Sequence, residues 1–370
     1  HGTGLHQAGY GHPKVIAAIK STLDALPFCP RRYTNTFAIE LARRLCEAAP
    51  IPDARVLFAP AGTLATGMAL KLARIVTGRF KTLSMWDSFH GASLDAISVG
   101  GEAIFRRGLG PLLPGTEHVP ACNPGNCVFG CGGHCTLRCV DYIDHCLSRE
   151  GDVAAVIVET VRSTDVRFPP VEYYAKLRQI CDHHGTLLIL DEIPLAFGRT
   201  GPMFAIEHYG IEPDMILVGK GLGGGTMPLA ALIARGDYNV AAETALGHYT
   251  HEKSPVACAA GLALLEAIEE ENLLERSRVL GQHAIDRLRR NTATFDPVTE
   301  IRGAGLLIGV ELSHPDLAEK VLYRCLANGL SFKVGQGRVL VLAPPLTIGE
   351  QELELAIDIV TEAIAFGEES

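Results

Sequence analysis

Six short apolar runs constrain this chain most. They are RVLFA (55–59), KTLSMW (81–86), VAAVIVE (153–159), TLLILD (186–191), DMILVG (214–219) and PLAALIA (228–234). The most continuously apolar of them, such as VAAVIVE and TLLILD, read as strands covered on both faces, as in a parallel sheet sandwiched by helices. Helical stretches beginning at Thr63 and after Pro170 separate them. The pattern therefore predicts an α/β fold with a mostly parallel central sheet. At 370 residues the chain exceeds the usual size of one domain. The expected division is an N-terminal segment 1–45 at the rim of the site, a large domain 46–255 and a smaller α/β domain 256–370. EIRGAGLLIGVEL (300–312) and GRVLVLAPPL (337–346) would supply strands of the smaller domain.

In such a sheet ligands gather outside the carboxyl ends of the strands, and three runs end there in ionisable residues. Lys220 follows MILV (215–218) and precedes the glycine-rich GLGGG (221–225). Desolvation at a strand end lowers an amine's pKa, and a partly neutral amine is what Schiff-base chemistry with an aldehyde cofactor requires. Asp191 closes LLILD; a carboxylate there can keep a pyridine nitrogen protonated and so maintain pyridoxal phosphate as an electron sink. Glu159 ends VAAVIVE at the same edge and reads as a supporting group rather than a substrate-ammonium contact. Upstream, LFAPAGTLATGMALKLAR (57–74) gives strand, tight turn and helix, with the amides of Ala61, Gly62 and Thr63 placed as a phosphate cup. GLGGG lacks the strand–GxGxxG–helix context of a dinucleotide site.

Read in order, AGT (61–63), FHG (89–91), Glu159, DEI with FGRTG (191–193, 197–201), GKGLGGG (219–225) and Thr250 ahead of SP form one series. On that series the chain resembles the class III pyridoxal-phosphate-dependent aminotransferases, from GYGHP (9–13) to APPLTI (343–348). The resemblance implies the pyridoxal-phosphate-dependent transferase fold (aspartate aminotransferase-like). It implies a Schiff base at Lys220, which then moves the substrate proton, and pairing of Asp191 with the pyridine nitrogen. Phe89 would stack on the ring with His90 beside it, and Ile193 would pack on the opposite face. Gly62 and Thr63 would hold the phosphate together with Thr250 from a partner subunit, which makes a homodimer the expected state.

The chain departs from the family at Pro194, where a polar residue beside the cofactor hydroxyl is usual, and at Glu159–Thr160, where the family has Glu–Pro. Val341 stands where many amino-acid transaminases of the family carry a carboxylate-clamping arginine. A carboxylate without a bidentate partner is poorly held, so either Arg31, Arg32 or Arg162 replaces the clamp or the substrate is no ordinary α-amino acid. Arg31 and Arg32 read equally as solvated loop charges. The reading placed first is transamination of a small primary amine or amino acid. The alternative is elimination: segments 84–115 and 247–255 are similar to the family's phosphonate ammonia-lyase branch, whose substrate type is 1-hydroxy-2-aminoethylphosphonate. A phospho-lyase, a racemase or a catalytically dead scaffold ranks below both.

Composition limits the partners. The net charge of −9 argues against nucleic acid, and no apolar run approaches the ~20 residues that span a bilayer. His1 in place of a methionine reads as a trimmed N-terminus, and nothing looks like a signal peptide. Eleven cysteines, most of them in apolar or helical stretches, suggest a reducing, cytoplasmic setting. Five of them fall within ACNPGNCVFGCGGHCTLRC (121–139), with His134 among them. Their spacing matches no common zinc knuckle, so the segment is expected to be a surface insertion with reduced thiols and no metal.

Overall fold

The computed structural model describes residues 4–132 and 134–369. Its seven-stranded sheet consists of β1 (Arg55–Ala59), β2 (Lys81–Met85), β3 (Thr116–Val119), β4 (Val153–Glu159), β5 (Leu187–Asp191), β6 (Met215–Val218) and β7 (Ala230–Ala234), in the spatial order β1-β7-β6-β5-β4-β2-β3. The chain from β3 back through β2, β4 and β5 to β6 is parallel. Every residue of β4, β5, β6 and β7 is buried, as their unbroken apolar character requires. The α/β expectation holds.

One strand reverses. β7 runs antiparallel to both β1 and β6. A parallel return needs a crossover of a dozen or more residues, usually a helix, whereas β6 reaches β7 through the short glycine-rich loop that carries Lys220. β3, with the partly polar sequence TEHV, carries no strand signal of the kind the other runs show. The stretch after Pro255 breaks at Asn272, which has φ +49°, into helices Pro255–Glu270 and Leu273–Asn291.

A second, antiparallel sheet is built from β8 (Val298–Ala304), β9 (Leu307–Leu312), β10 (Lys333–Gly335) and β11 (Val339–Leu342), in the order β10-β11-β9-β8. β10 and β11 form a hairpin whose turn residues Gln336 and Gly337 both have positive φ, the conformation that matches strand twist in a tight hairpin. Its register sets Lys333 opposite Val341. The N-terminal segment stitches the two sheets together. Gln7 Nε2 donates to the carbonyls of Gly4 and Ala196, and the Leu346 amide donates to the Gln7 carbonyl. Gly221 lies so close to Gln7 that a Cβ there would sit 2.0 Å from Gln7 Oε1. Among the described residues no helix is long and apolar enough to cross a membrane.

Candidate active site

β4 and β5 pair in register, so Glu159 and Asp191 emerge side by side from the carboxyl edge of the sheet. Lys220 follows β6 on the same edge, held with φ +45°. A left-handed conformation in a non-glycine residue costs about 1–2 kcal/mol, a strain of the kind that collects at functional positions. These three residues line a cavity of about 550 Å³ together with Gly62, Thr63, Phe89, His90 and Ile193. The volume is typical of a small-molecule pocket.

Burial lowers the pKa of Lys220, with Lys333 acting in the same direction, while Asp191 and Glu159 pull it back up. The amine is thereby kept closer to neutrality than a surface lysine. Asp191 is fixed from two sides. Its Oδ2 accepts from His90 Nδ1 at 2.8 Å and its Oδ1 from the Ile193 amide at 3.0 Å. His90 Nε2 is buried without a partner. Glu159 accepts from the Phe89 amide at 2.9 Å and the Ser163 amide at 3.3 Å; burial raises its pKa, opposed by the charge of His90 and the Phe89 amide. Glu159 therefore anchors the loop that presents Phe89, whose ring lies 4.5 Å from that of Phe105. Glu192 points away from the cavity. It accepts from the amides of Ala205 and Ile206 and from the Thr160 hydroxyl, and burial pushes its pKa up to about 7.

Helix Gly62–Thr77 starts at the cavity. Its first intrahelical bonds run from Leu64 and Ala65 to the Ala61 carbonyl, which leaves the preceding amides of Gly62 and Thr63 for an anion. A Cβ on Gly62 would come 2.7 Å from Ile193 Cδ1, and one on Gly91 would come 2.4 Å from Thr63 Oγ1. The Thr63 hydroxyl is itself engaged, with Ser93 Oγ at 2.5 Å and the Ser93 amide at 3.0 Å. A planar, phosphorylated pyridine aldehyde fits this donor set. The cavity offers a carboxylate fixed at the sheet edge, an aliphatic and an aromatic side chain in one lining, two free helix-start amides, and a desolvated amine.

Four residues named from sequence lie outside this lining. Thr250 is exposed in the turn before helix Pro255–Glu270. Arg31 is engaged with that same stretch of chain, its Nε 2.7 Å from Glu252 and its Nη2 donating to the Gly247 carbonyl at 3.0 Å. Arg32 is exposed. Arg162 is paired with Asp165 through Nε at 2.8 Å and Nη2 at 2.5 Å, and borders other clefts. None of the three arginines lines the cavity of its own chain.

The lining also includes Val341, the residue at the clamp position, and residues that the sequence reading passed over: Glu102, Phe105, Ser163, Thr164 and Lys333. Thr164 Oγ1 is buried without a partner. Lys333 is, with Lys220, one of two lysines in the lining and has no ion-pair partner among the described residues. Burial raises the pKa of Glu102, and the charge of Lys333 opposes that rise. The signal for Lys333 was the pattern FKVGQGRVLVL, a hairpin that pairs 333 with 341.

A profile of the family described as "Aminotransferase class-III" matches residues 2–364. A protein of Vibrio splendidus (strain 12B01) described as (R)-1-hydroxy-2-aminoethylphosphonate ammonia-lyase is 47% identical, over 99% of this chain and 81% of that one. An acetylornithine aminotransferase of Methanopyrus kandleri is 37% identical, over 98% of this chain and 88% of that one. An amine transaminase from an uncultivated Pseudomonas species, solved in its PLP-bound form, superposes with a TM-score of 0.90 at 29% identity, over 97% of this chain and 88% of that one.

Proposed function

The chain belongs to the class-III aminotransferase family, and on that premise we propose that it is an ammonia-lyase for a small amine bearing a hydroxyl on the next carbon and a phosphonate beyond it. The family is pyridoxal-phosphate-dependent, and this protein is an enzyme with that cofactor. The observation that carries the reading is Lys333. The clamp position holds Val341, and the cation stands instead on the directly opposite residue of the hairpin, facing the same cavity. A lysine is a compact point charge suited to a tetrahedral anion, whereas the planar fork of arginine matches a carboxylate. The Vibrio relative acts on an aminoethylphosphonate by its description, which supports the same substrate class.

When bound, the cofactor supplies an aldehyde that takes up the substrate nitrogen and a pyridinium that accepts the electron pair left at the neighbouring carbon. Asp191, held by His90 and the Ile193 amide, would keep that nitrogen protonated. Gly62 and Thr63 would hold the phosphate through their amides, with Phe89 and Ile193 lining the space for the ring. Lys220 removes the proton from the carbon that bears the amine, a task suited to a base whose pKa burial has lowered. Glu102, a carboxyl raised by burial, gives a proton to the departing hydroxyl, which leaves as water. The released enamine tautomerises and takes up one water to give ammonia and an aldehyde that retains the phosphonate, so water is conserved overall. Lys333 and Thr164 hold the phosphonate.

The active unit of this reading is a homodimer, with Thr250 of each chain completing the phosphate site of the other, in a cytoplasmic protein. Transamination, placed first from sequence, is the reading that elimination displaces. The deciding experiment supplies 1-hydroxy-2-aminoethylphosphonate without any keto acid. Continuous ammonia release over many turnovers is expected. Reaction that stops after one equivalent, and resumes only with pyruvate or 2-oxoglutarate, would establish transamination instead.

A further inference from the structure

The cysteine-rich insertion between β3 and helix Arg138–Glu150 folds its thiols together. The sulfurs of Cys122, Cys135 and Cys139 all lie within 4.8 Å of one another, although their spacing in sequence fits no standard motif. Cys122 and Cys135 are 3.8 Å apart. That separation is far beyond the ~2.05 Å of a disulfide. It matches the edge of about 3.8 Å that follows for a tetrahedron of sulfurs at Zn–S ≈ 2.3 Å. Cys122 and Cys139 are buried. Cys131 Sγ lies 3.4 Å from Oγ1 of Thr136, the neighbour of Cys135 in sequence, and 3.2 Å from the Cys127 sulfur.

We propose that Cys122, Cys135 and Cys139 bind one structural zinc ion, with Cys131 as the fourth thiolate. The ion would clip the end of β3 to the start of the following helix and close the intervening loop. Such a clip supports the active site, because the Val119 carbonyl at the end of β3 accepts the Trp86 amide, three residues before Phe89. The site is separate from the cofactor cavity, whose lining includes none of these cysteines.

The test uses the intact holoenzyme from zinc-replete expression. Metal analysis should find about one zinc per chain, the stoichiometry of a single closed four-ligand site. Chelation in mild denaturant followed by Co²⁺ should restore the metal with thiolate-to-cobalt charge-transfer bands and intense visible bands of a tetrahedral site. Cys122→Ser, Cys135→Ser and Cys139→Ser should each lower zinc content at least tenfold, while Cys46→Ser leaves it unchanged. The cobalt spectrum of the wild-type enzyme decides the matter even where a serine variant fails to fold. Purified enzyme without zinc whose chelated form gives no cobalt spectrum overturns the proposal, as does iron with acid-labile sulfide, or cysteine variants that keep full zinc.

Discussion

Lys333→Ala is the substitution that separates the substrate reading from the cofactor reading. Lys333 faces the cavity without an ion-pair partner among the described residues, so its removal breaks no salt bridge; it takes away the charge that opposes the rise of Glu102, and the main loss registers on the substrate anion. A hydrogen bond to a charged group contributes about 1.5–3 kcal/mol net, which at 1.36 kcal/mol per decade corresponds to a roughly 10- to 150-fold fall in kcat/KM. Raw Coulomb attraction at 4 Å and an effective dielectric of 20 is about 4 kcal/mol, so the upper end of that range applies where closure excludes water. The assay is ammonia release from the aminophosphonate alongside an uncharged amino alcohol of the same length. The fall should be much larger for the anion than for the amino alcohol, which registers only the change that loss of the Lys333 charge makes at Lys220 and Glu102, with the cofactor still bound. A second variant makes the geometry testable. Directly opposed residues have Cβ atoms about 4.5–5.5 Å apart, so an arginine introduced by Val341→Arg in the Lys333→Ala background can reach the same anion and restore part of the loss. Equal kcat/KM values for wild type and Lys333→Ala on the anionic substrate would refute the reasoning, because the anion would then be held elsewhere.

Glu102→Gln should reduce elimination about a hundredfold, the lower end of the range for loss of a positioned general acid, and leave the cofactor spectrum intact; unchanged turnover removes Glu102 from the mechanism. Gly62→Ala drives a Cβ toward Ile193 Cδ1, an overpacking that costs about 1–3 kcal/mol. Cofactor dissociation, followed by absorbance on dilution, should therefore become faster. Glu192 has a folded pKa of about 7 against an ordinary 4.5, so the folded state binds its proton more tightly than the unfolded one. Stability should fall as pH rises from about 4.5 to about 7, and Glu192→Gln should flatten that part of the Tm–pH curve; parallel curves contradict the assignment. Thr250→Ala should weaken cofactor retention in a protein that sediments as a dimer, and a monomeric holoenzyme would eliminate the shared phosphate site.

The sheet edge was legible because its signals are local. A strand buried on both faces must be apolar throughout, and a charged residue at its end must have a use, so VAAVIVE, LLILD and MILV each point to their own terminal residue. Glu159, Asp191 and Lys220 converge because those strands are neighbours in one sheet. What was missed lies on elements whose burial comes from tertiary packing. TEHV is partly polar and becomes β3 only because β2 offers it an edge. The Asp191–His90 pair spans a separation no sequence period encodes. The arginines were misleading for a related reason: Arg31 and Arg162 have charge and position in their favour, but each has a carboxylate of its own close by. A cation already held by a buried or half-buried carboxylate has little left to give a substrate.

In the mechanism we propose, the cavity draws its chemistry and its selectivity from different sheets. Proton transfer and cofactor binding would rest on the parallel sheet, where a shift of one residue in register would bury the charges at the ends of β4, β5 and β6 and destroy the core. The anion contact would rest on the β10–β11 hairpin, at the margin of the smaller sheet, where opposite residues share a face and either can carry the cation. Moving a positive charge from one to the other leaves the hydrogen bonds of the ladder intact and keeps the charge over the same cavity. It changes only the shape of the donor, from a planar fork to a point charge, and its height along the wall. A fold built this way can pass from holding carboxylates to holding phosphonates by two substitutions on one hairpin, with Lys220, Asp191 and the helix at Gly62 untouched.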